Sequence, residues 1–168
     1  VANHLRAQDV RTLFSLDGGR TLRPFEKPID SAIDPQAYVA VRHVGYWSEG
    51  FVFLSAREDL VLAKATEALK AVIAKATAGS KCSDLARLAA KKINPYSGHA
   101  MTVDNTGNGI GLSLEEEPRF SANSESALGA GEVYTLRVGV SDGHEHHGIV
   151  SAMVAIHQDR SELLWSAV

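Results

Sequence analysis

Three histidines sit close together in "DGHEHHGIV", and no other stretch of the chain is so dense in potential metal ligands. Imidazole binds zinc, copper or nickel readily. The spacing of His144, His146 and His147 matches no structural zinc site, so they predict adventitious metal binding and no resident ion. His43, His99 and His157 are isolated, and a structural role is expected for each. A second place for chemistry is "GNGIGLSLEEEP", residues 107–118. Glycines on both sides of one residue mean a tightly folded backbone or a close approach. The framed side chain is Asn108, a poor metal ligand and a poor base, but at home in a tight turn. The run Glu115-Glu116-Glu117 reads as a largely solvated face. Arg137 alternates with Val133, Thr135 and Gly139 on one face of an extended segment. Its guanidinium is always charged, only donates hydrogen bonds, and cannot ligate a metal.

Composition limits what these residues can serve. The chain has 168 residues, 45% hydrophobic and 22% charged, with a formal net charge of -3. That is the material of one globular domain, expected over residues 1–168. So mild a charge balance excludes an electrostatic nucleic-acid or membrane-surface binder. No apolar run is long enough to span a bilayer. The one cysteine, Cys82, cannot form an internal disulfide, which fits a reducing cytoplasm.

The elements that must position these groups fall in three blocks. Residues 10–54 read as extended: "VRTLFSL" leads to a turn at Asp17-Gly18-Gly19, "FEKPIDSAIDP" is a loop, and Gly45 breaks "AYVAVRHVGYWSEGFVFLSA" into two strands. A Ser55/Glu58 capping box predicts a helix to about Ala78, with Leu62, Ala65, Leu69, Val72, Ile73 and Ala76 as its apolar stripe and Gly79 as its end. Ser83 is expected to cap a second helix, Asp84 to Ile93, stopped by Asn94-Pro95. Residues 131–140 and 148–157 read as closing strands. Strands, two helices, then strands predict an α+β fold.

With these segments in order, the chain resembles the pita-bread superfamily, which includes prolidase, Xaa-Pro aminopeptidase, methionine aminopeptidase and creatinase. "GNGIGLSLEEEP" is similar to the family's Gly-His-Gly-Ile-Gly-Leu…His-Glu-x-Pro. "GYWSEGFVFL", "LGAGEVYTLRVGV" and "GIVSAMVAIHQDRSELL" resemble three further family strands. The resemblance implies a curved antiparallel sheet backed by two helices, truncated at the N-terminus, with the family's first helices absent.

The family's chemistry rests on two divalent cations held by two Asp, one His and two Glu. Carried over by resemblance, those positions fall on Tyr38, Glu49, Asn108, Arg137 and Ser151. Two substrate-facing histidines fall on Asp104 and Glu115. Only Glu49 remains a carboxylate, and the five ligand positions sum to about zero charge on reference pKa values. The expectation is therefore no cofactor and a non-catalytic binding or structural module, working as a homodimer or as a partner subunit. Arg137 is expected to point inward and pair with at least one of Glu49, Asp104 or Glu115. A small anionic or peptide ligand would sit in a pocket of Asp104, Glu115 and Arg137. Two alternatives stay open. One is a metal-independent, creatinase-like hydrolase with Asp104 or Glu115 as general base. The other is a metal-dependent Xaa-Pro aminopeptidase or dipeptidase.

Overall fold

A computed structural model describes residues 7–17, 20–24, 35–54, 60–144 and 146–166. The expected 25–35 loop, the Gly18-Gly19 turn and the Ser55/Glu58 capping box lie wholly or mostly outside the described residues. The strands are β1 (Asp9–Ser15), β2 (Gln36–His43), β3 (Tyr46–Phe53), β4 (Ser97–Gly98), β5 (Gly107–Gly109), β6 (Glu116–Arg119), β7 (Val133–Ser141), β8 (His147–Ile156) and β9 (Ser161–Ser166). The helices are α1 (Leu60–Ile73) and α2 (Cys82–Ile93). The pairing is antiparallel throughout. One sheet runs β1-β2-β3; the other runs β6-β5-β7-β8-β9, with β4 added to β7. Among the described residues no helix is long and apolar enough to cross a membrane.

Strand alternation explains the layering. Tyr134, Leu136, Val138 and Val140 of β7, with Val150, Ala152, Val154 and Ile156 of β8, form one core with Val61, Ala65, Leu69 and Val72 of α1 and Leu85 and Ala89 of α2. Each buried Val, Leu or Ile side chain there stabilises the fold by about 1.5–3 kcal/mol. The other face of β7 and β8 carries Thr135, Arg137, Ser151 and Met153, and it meets the three-stranded sheet through β3. A smaller cluster of Ala40, Trp47, Ile110 and Met153 fills part of that interface.

The two helices differ in detail from the sequence reading. The buried face of α1 is Val61, Ala65, Ala68, Leu69 and Val72, and Leu62 and Ile73 are only partly buried. The helix ends at Ile73 and not near Ala78. After Ala74 the amides of Lys75 and Ala76 bond three residues back, and the hydroxyl of Ser161 donates to the Ile73 carbonyl at 2.8 Å. A residue of β9, distant in sequence, thus captures the helix end. In α2 the N-cap is Lys81, with no side-chain capping bond, and Ser83 lies within the first turn. The expected Ser83 cap is therefore corrected: the helix starts two residues earlier, where Cys82 N–H is taken by the Ser126 carbonyl. Asn94 closes the helix as expected. Cys82 is fully buried, and burial pushes its thiol up to about 11.

The glycine frame around Asn108 has a steric cause. β5 lies between β6 and β7, with Asn108 opposite Thr135 on one side and Arg119 on the other. A Cβ on Gly107 would lie 2.5 Å from the Thr135 carbonyl oxygen, and one on Gly109 would lie 2.6 Å from that of Glu117. Both obstacles are backbone and cannot rotate away. Gly107→Ala and Gly109→Ala are each expected to lower unfolding free energy by about 1–3 kcal/mol through overpacking. Denaturant melts of the two variants check this; stability equal to the parent would refute the steric reading.

Candidate functional site

Glu49 and Tyr38 reach the site from the β2-β3 hairpin. The turn at Val44-Gly45, both at positive φ, sets a register in which Ala40 faces Glu49 and Tyr38 faces Phe51. Tyr38 and Glu49 are then diagonal neighbours on the face turned toward the larger sheet. From that sheet Arg137 stands opposite Ser151, and one rung along Thr135 stands between Asn108 and Met153. Five positions spread over 114 residues of chain, 38 to 151, are thus gathered where the two sheets meet.

The geometry is a buried ion pair with neutral supports. Arg137 Nη2 donates to Glu49 Oε1, and also to Asn108 Oδ1 at 2.8 Å. The Tyr38 hydroxyl donates to Glu49 Oε2. Asn108 Nδ2 donates to the Gly109 carbonyl at 2.7 Å, which fixes its oxygen toward the guanidinium. Side-chain exposure is 10% for Arg137 and 2% for Glu49, so water screens the pair little. Ser151 does not join the network directly; its hydroxyl accepts the Phe51 N–H at 2.8 Å. The Met153 sulfur accepts the Glu49 N–H at 3.3 Å, a second stitch between the sheets. Burial raises the Tyr38 phenol well above its ordinary range, and the charge of Glu49 and the bond to it raise it further, against a smaller opposing effect of Arg137. Burial likewise raises Tyr134, whose hydroxyl donates to Glu132.

Sequence reasoning put Thr135 on the Arg137 face without giving it a role, and missed Met153. Thr135 Oγ1 is buried without a hydrogen-bond partner among the described residues, beside Asn108 and two residues from Arg137. Alternation along β7 was the signal that placed it on the Arg137 face. Met153 carried no signal, since a thioether acceptor looks like any core residue.

Other expected groups are elsewhere. Asp104 is exposed in the turn before β5. Glu115 is exposed and pairs with Arg119 at 3.0 Å. Of the three acids expected around Arg137, the structure pairs it with Glu49, while Glu115 pairs with Arg119 and Asp104 faces solvent. The reason is reach across the interface: Glu49 lies on the strand packed against β8, whereas the Asp104 and Glu115 side chains point to solvent. The guanidinium charge is answered within the protein, which weakens any attraction for an anion there. In the histidine tract, the His144 backbone carbonyl accepts from Arg20 Nη2 at 2.6 Å, while His147 is buried, contacts Arg20 and meets His99 edge-on at 5.8 Å between ring centroids. Among the described residues no three His, Cys, Asp or Glu side chains are arranged to hold a metal ion. The strand pleat turns His147 inward, away from the loop tip.

The family's two divalent cations do not fit these residues. Both oxygens of Glu49 already accept hydrogen bonds, the Asn108 oxygen accepts another, and a permanent cation lies among them. No anionic donor set remains to neutralise a divalent ion.

The fold is that of the pita-bread class: antiparallel sheets with two helices on one face. The chain belongs to metallopeptidase family M24, whose family model matches residues 41–158. Solved structures of similar fold include the prolidase from Thermococcus sibiricus, 19% identical with a TM-score of 0.80, covering 99% of this chain and 48% of that one. The prolidase from Pyrococcus horikoshii OT3 is 19% identical with a TM-score of 0.75, covering 94% and 48%. The methionine aminopeptidase from Rickettsia prowazekii is 14% identical with a TM-score of 0.71, covering 92% and 72%. The chain spans a little less than half the length of these prolidases. No curated protein sequence matches it.

Two outcomes follow from the ion pair. Glu49→Ala or Arg137→Ala strands a buried charge and is expected to cost about 3–5 kcal/mol, whereas Arg137→Met with Glu49→Leu together should cost far less. A double-mutant cycle by chemical denaturation measures the coupling, and additive single effects would remove the pair from the stability argument. Raised phenol pKa values favour the neutral form in the folded state. The stability they contribute is complete below the unfolded tyrosine value of about 10 and is lost as pH rises beyond it. Tyr38→Phe should flatten that alkaline loss, as read from melting temperature between pH 8 and 11.

Proposed function

We propose that this chain is a non-catalytic M24 domain, a binding or structural module in which an internal ion pair stands where the resemblance puts the metal centre. One observation carries this reading: the Arg137 guanidinium is buried against Glu49 and Asn108, two of the five positions that would hold the cations. Without a metal-activated water or a substitute base at the site, peptide hydrolysis has no nucleophile. Asp104 and Glu115, the candidates for a metal-free hydrolase, are exposed, and Glu115 is held by Arg119. A general base must reach the reacting proton within hydrogen-bond distance of a positioned substrate.

The module's setting follows from weaker observations. A single buried thiol suits a reducing cytoplasm. The strand β9 ends the larger sheet and exposes Leu163, Leu164 and Trp165, apolar surface suited to a second copy or a partner subunit. A peptide ligand would come to such surface more readily than to the neutralised interior.

Xaa-Pro dipeptides and aminopeptidase substrates are expected to show no turnover above background, with or without added manganese or cobalt. Titration calorimetry with the same ions should show no binding that Glu49→Gln abolishes. Turnover that vanishes in Asp104→Ala or Glu115→Ala would overturn the proposal in favour of a metal-free hydrolase. Manganese-dependent turnover lost in Glu49→Gln would overturn it in favour of a metallopeptidase.

A further inference from the structure

The outer face of the three-stranded sheet has the composition of a buried surface. The register puts Val10 and Thr12 of β1, Val39 and Val41 of β2, and Ser48, Gly50 and Val52 of β3 on one face, opposite to that of Tyr38 and Glu49. None of these positions carries a charged side chain. An antiparallel sheet with one face in the core ordinarily turns polar residues to water on the other. Among the described residues, α1 and α2 pack on β7 and β8 and not on this face. Val39, Val41 and Val52 are left half-buried, and Val10 is 38% exposed.

The end of β9 is built onto the same face. Met153 pairs with Trp165 and Val154 with Leu163, so Leu164 is an extra residue, a β-bulge. A bulge re-aims side chains. Here Leu164 and Trp165, neighbours in sequence, both line one cleft of about 400 Å³, together with Val39, Val41, Val52 and Met153. Gly50 makes room for the ring: a Cβ there would lie 2.0 Å from the Trp165 indole. Even so, Trp165 stays 36% exposed and Leu164 49%. Glu49 also borders the cleft, but its carboxylate is taken on the other face by Arg137 and Tyr38.

We propose that two copies of this chain dock by this face, sheet against sheet across a twofold axis, with Trp165 and Leu164 of each copy as anchors. A twofold contact sets a patch against itself, and a patch without charged side chains meets its own image without opposing like charges. The area also suits a second copy. Val10, the half-buried valines, Leu164, Trp165, and Tyr46 at the hairpin end, with Thr12 and Ser48, expose roughly 600 Å² per copy, close to the ~800 Å² that each partner contributes to a stable interface. Tryptophan and tyrosine are the side chains on which such contacts most often depend. The dimer deepens the structural-module reading and rests on it for its role, but its surface is separate from the Arg137–Glu49 network.

Sedimentation equilibrium of the whole chain over a range of concentrations tests the proposal. A mass twice that of one chain is expected, falling to that of one chain on dilution. Val41→Lys and Leu164→Lys should each raise the dissociation constant tenfold or more. Leu112→Lys, at a residue 64% exposed elsewhere on the molecule, should leave it unchanged. Leu164 is exposed enough in one copy for its variant to fold, and an unchanged circular dichroism spectrum checks that. A monomer at every concentration, or a dimer that Val41→Lys and Leu164→Lys leave intact, would overturn the proposal. So would a monomer that binds the apolar dye anilinonaphthalene sulfonate and loses it in Leu164→Lys, which would make the cleft a small-molecule pocket. A monomer without peptidase turnover sinks the dimer and leaves the non-catalytic reading standing, whereas turnover by a dimer does the reverse.

Discussion

A charged guanidinium placed between two sheets must be answered there, and the arrangement of this interface follows from that need. An unpaired buried charge costs several kcal/mol, so Glu49 cannot move away from Arg137 without loss. Glu49 has two oxygens, and one is taken by Arg137; Tyr38 supplies a donor for the other. Asn108 gives the same guanidinium nitrogen a second acceptor and is oriented by its own bond to Gly109. The network thereby joins β2, β3, β5 and β7. Its members have few other low-energy arrangements, because each unmade bond would leave a polar group dry.

The apolar surroundings complete the clasp. Trp47, Ala40, Ile110 and Met153 close over the network, and Trp47 N–H bonds the Gly111 carbonyl at 2.8 Å, joining the hairpin to the glycine-framed loop. Arg11 lies over the Trp47 ring, 4.9 Å from its centroid. The second core, between the helices and the opposite face of β7 and β8, needs none of this polar detail. It is built from ordinary alternation and would form with a different residue at 137. Stability of the helical layer and identity of the site are therefore carried by opposite faces of the same two strands. The fold itself is shared with these solved structures at 14–19% identity.

Much of this was legible in the residues themselves. Period-two alternation marked β7 and β8 and put Thr135 with Arg137 on one face. Gly45 marked the hairpin turn, and Asn94-Pro95 marked the end of α2. The Gly-Asn-Gly frame announced close backbone approach. Residue type alone also dictated that Arg137 could never be a metal ligand.

What the chain could not declare was which acid would answer Arg137. Asp104 and Glu115 are nearer in sequence to Asn108, but partner choice is made by how two sheets pack, and that packing puts Glu49 within reach and turns the others to solvent. The same holds for the early end of α1, decided by Ser161 from β9, and for the start of α2, decided by Ser126. Local signals specify what a segment can do with its own neighbours. Contacts between residues a hundred positions apart depend on register and on the angle at which layers meet, and only the tertiary structure sets those.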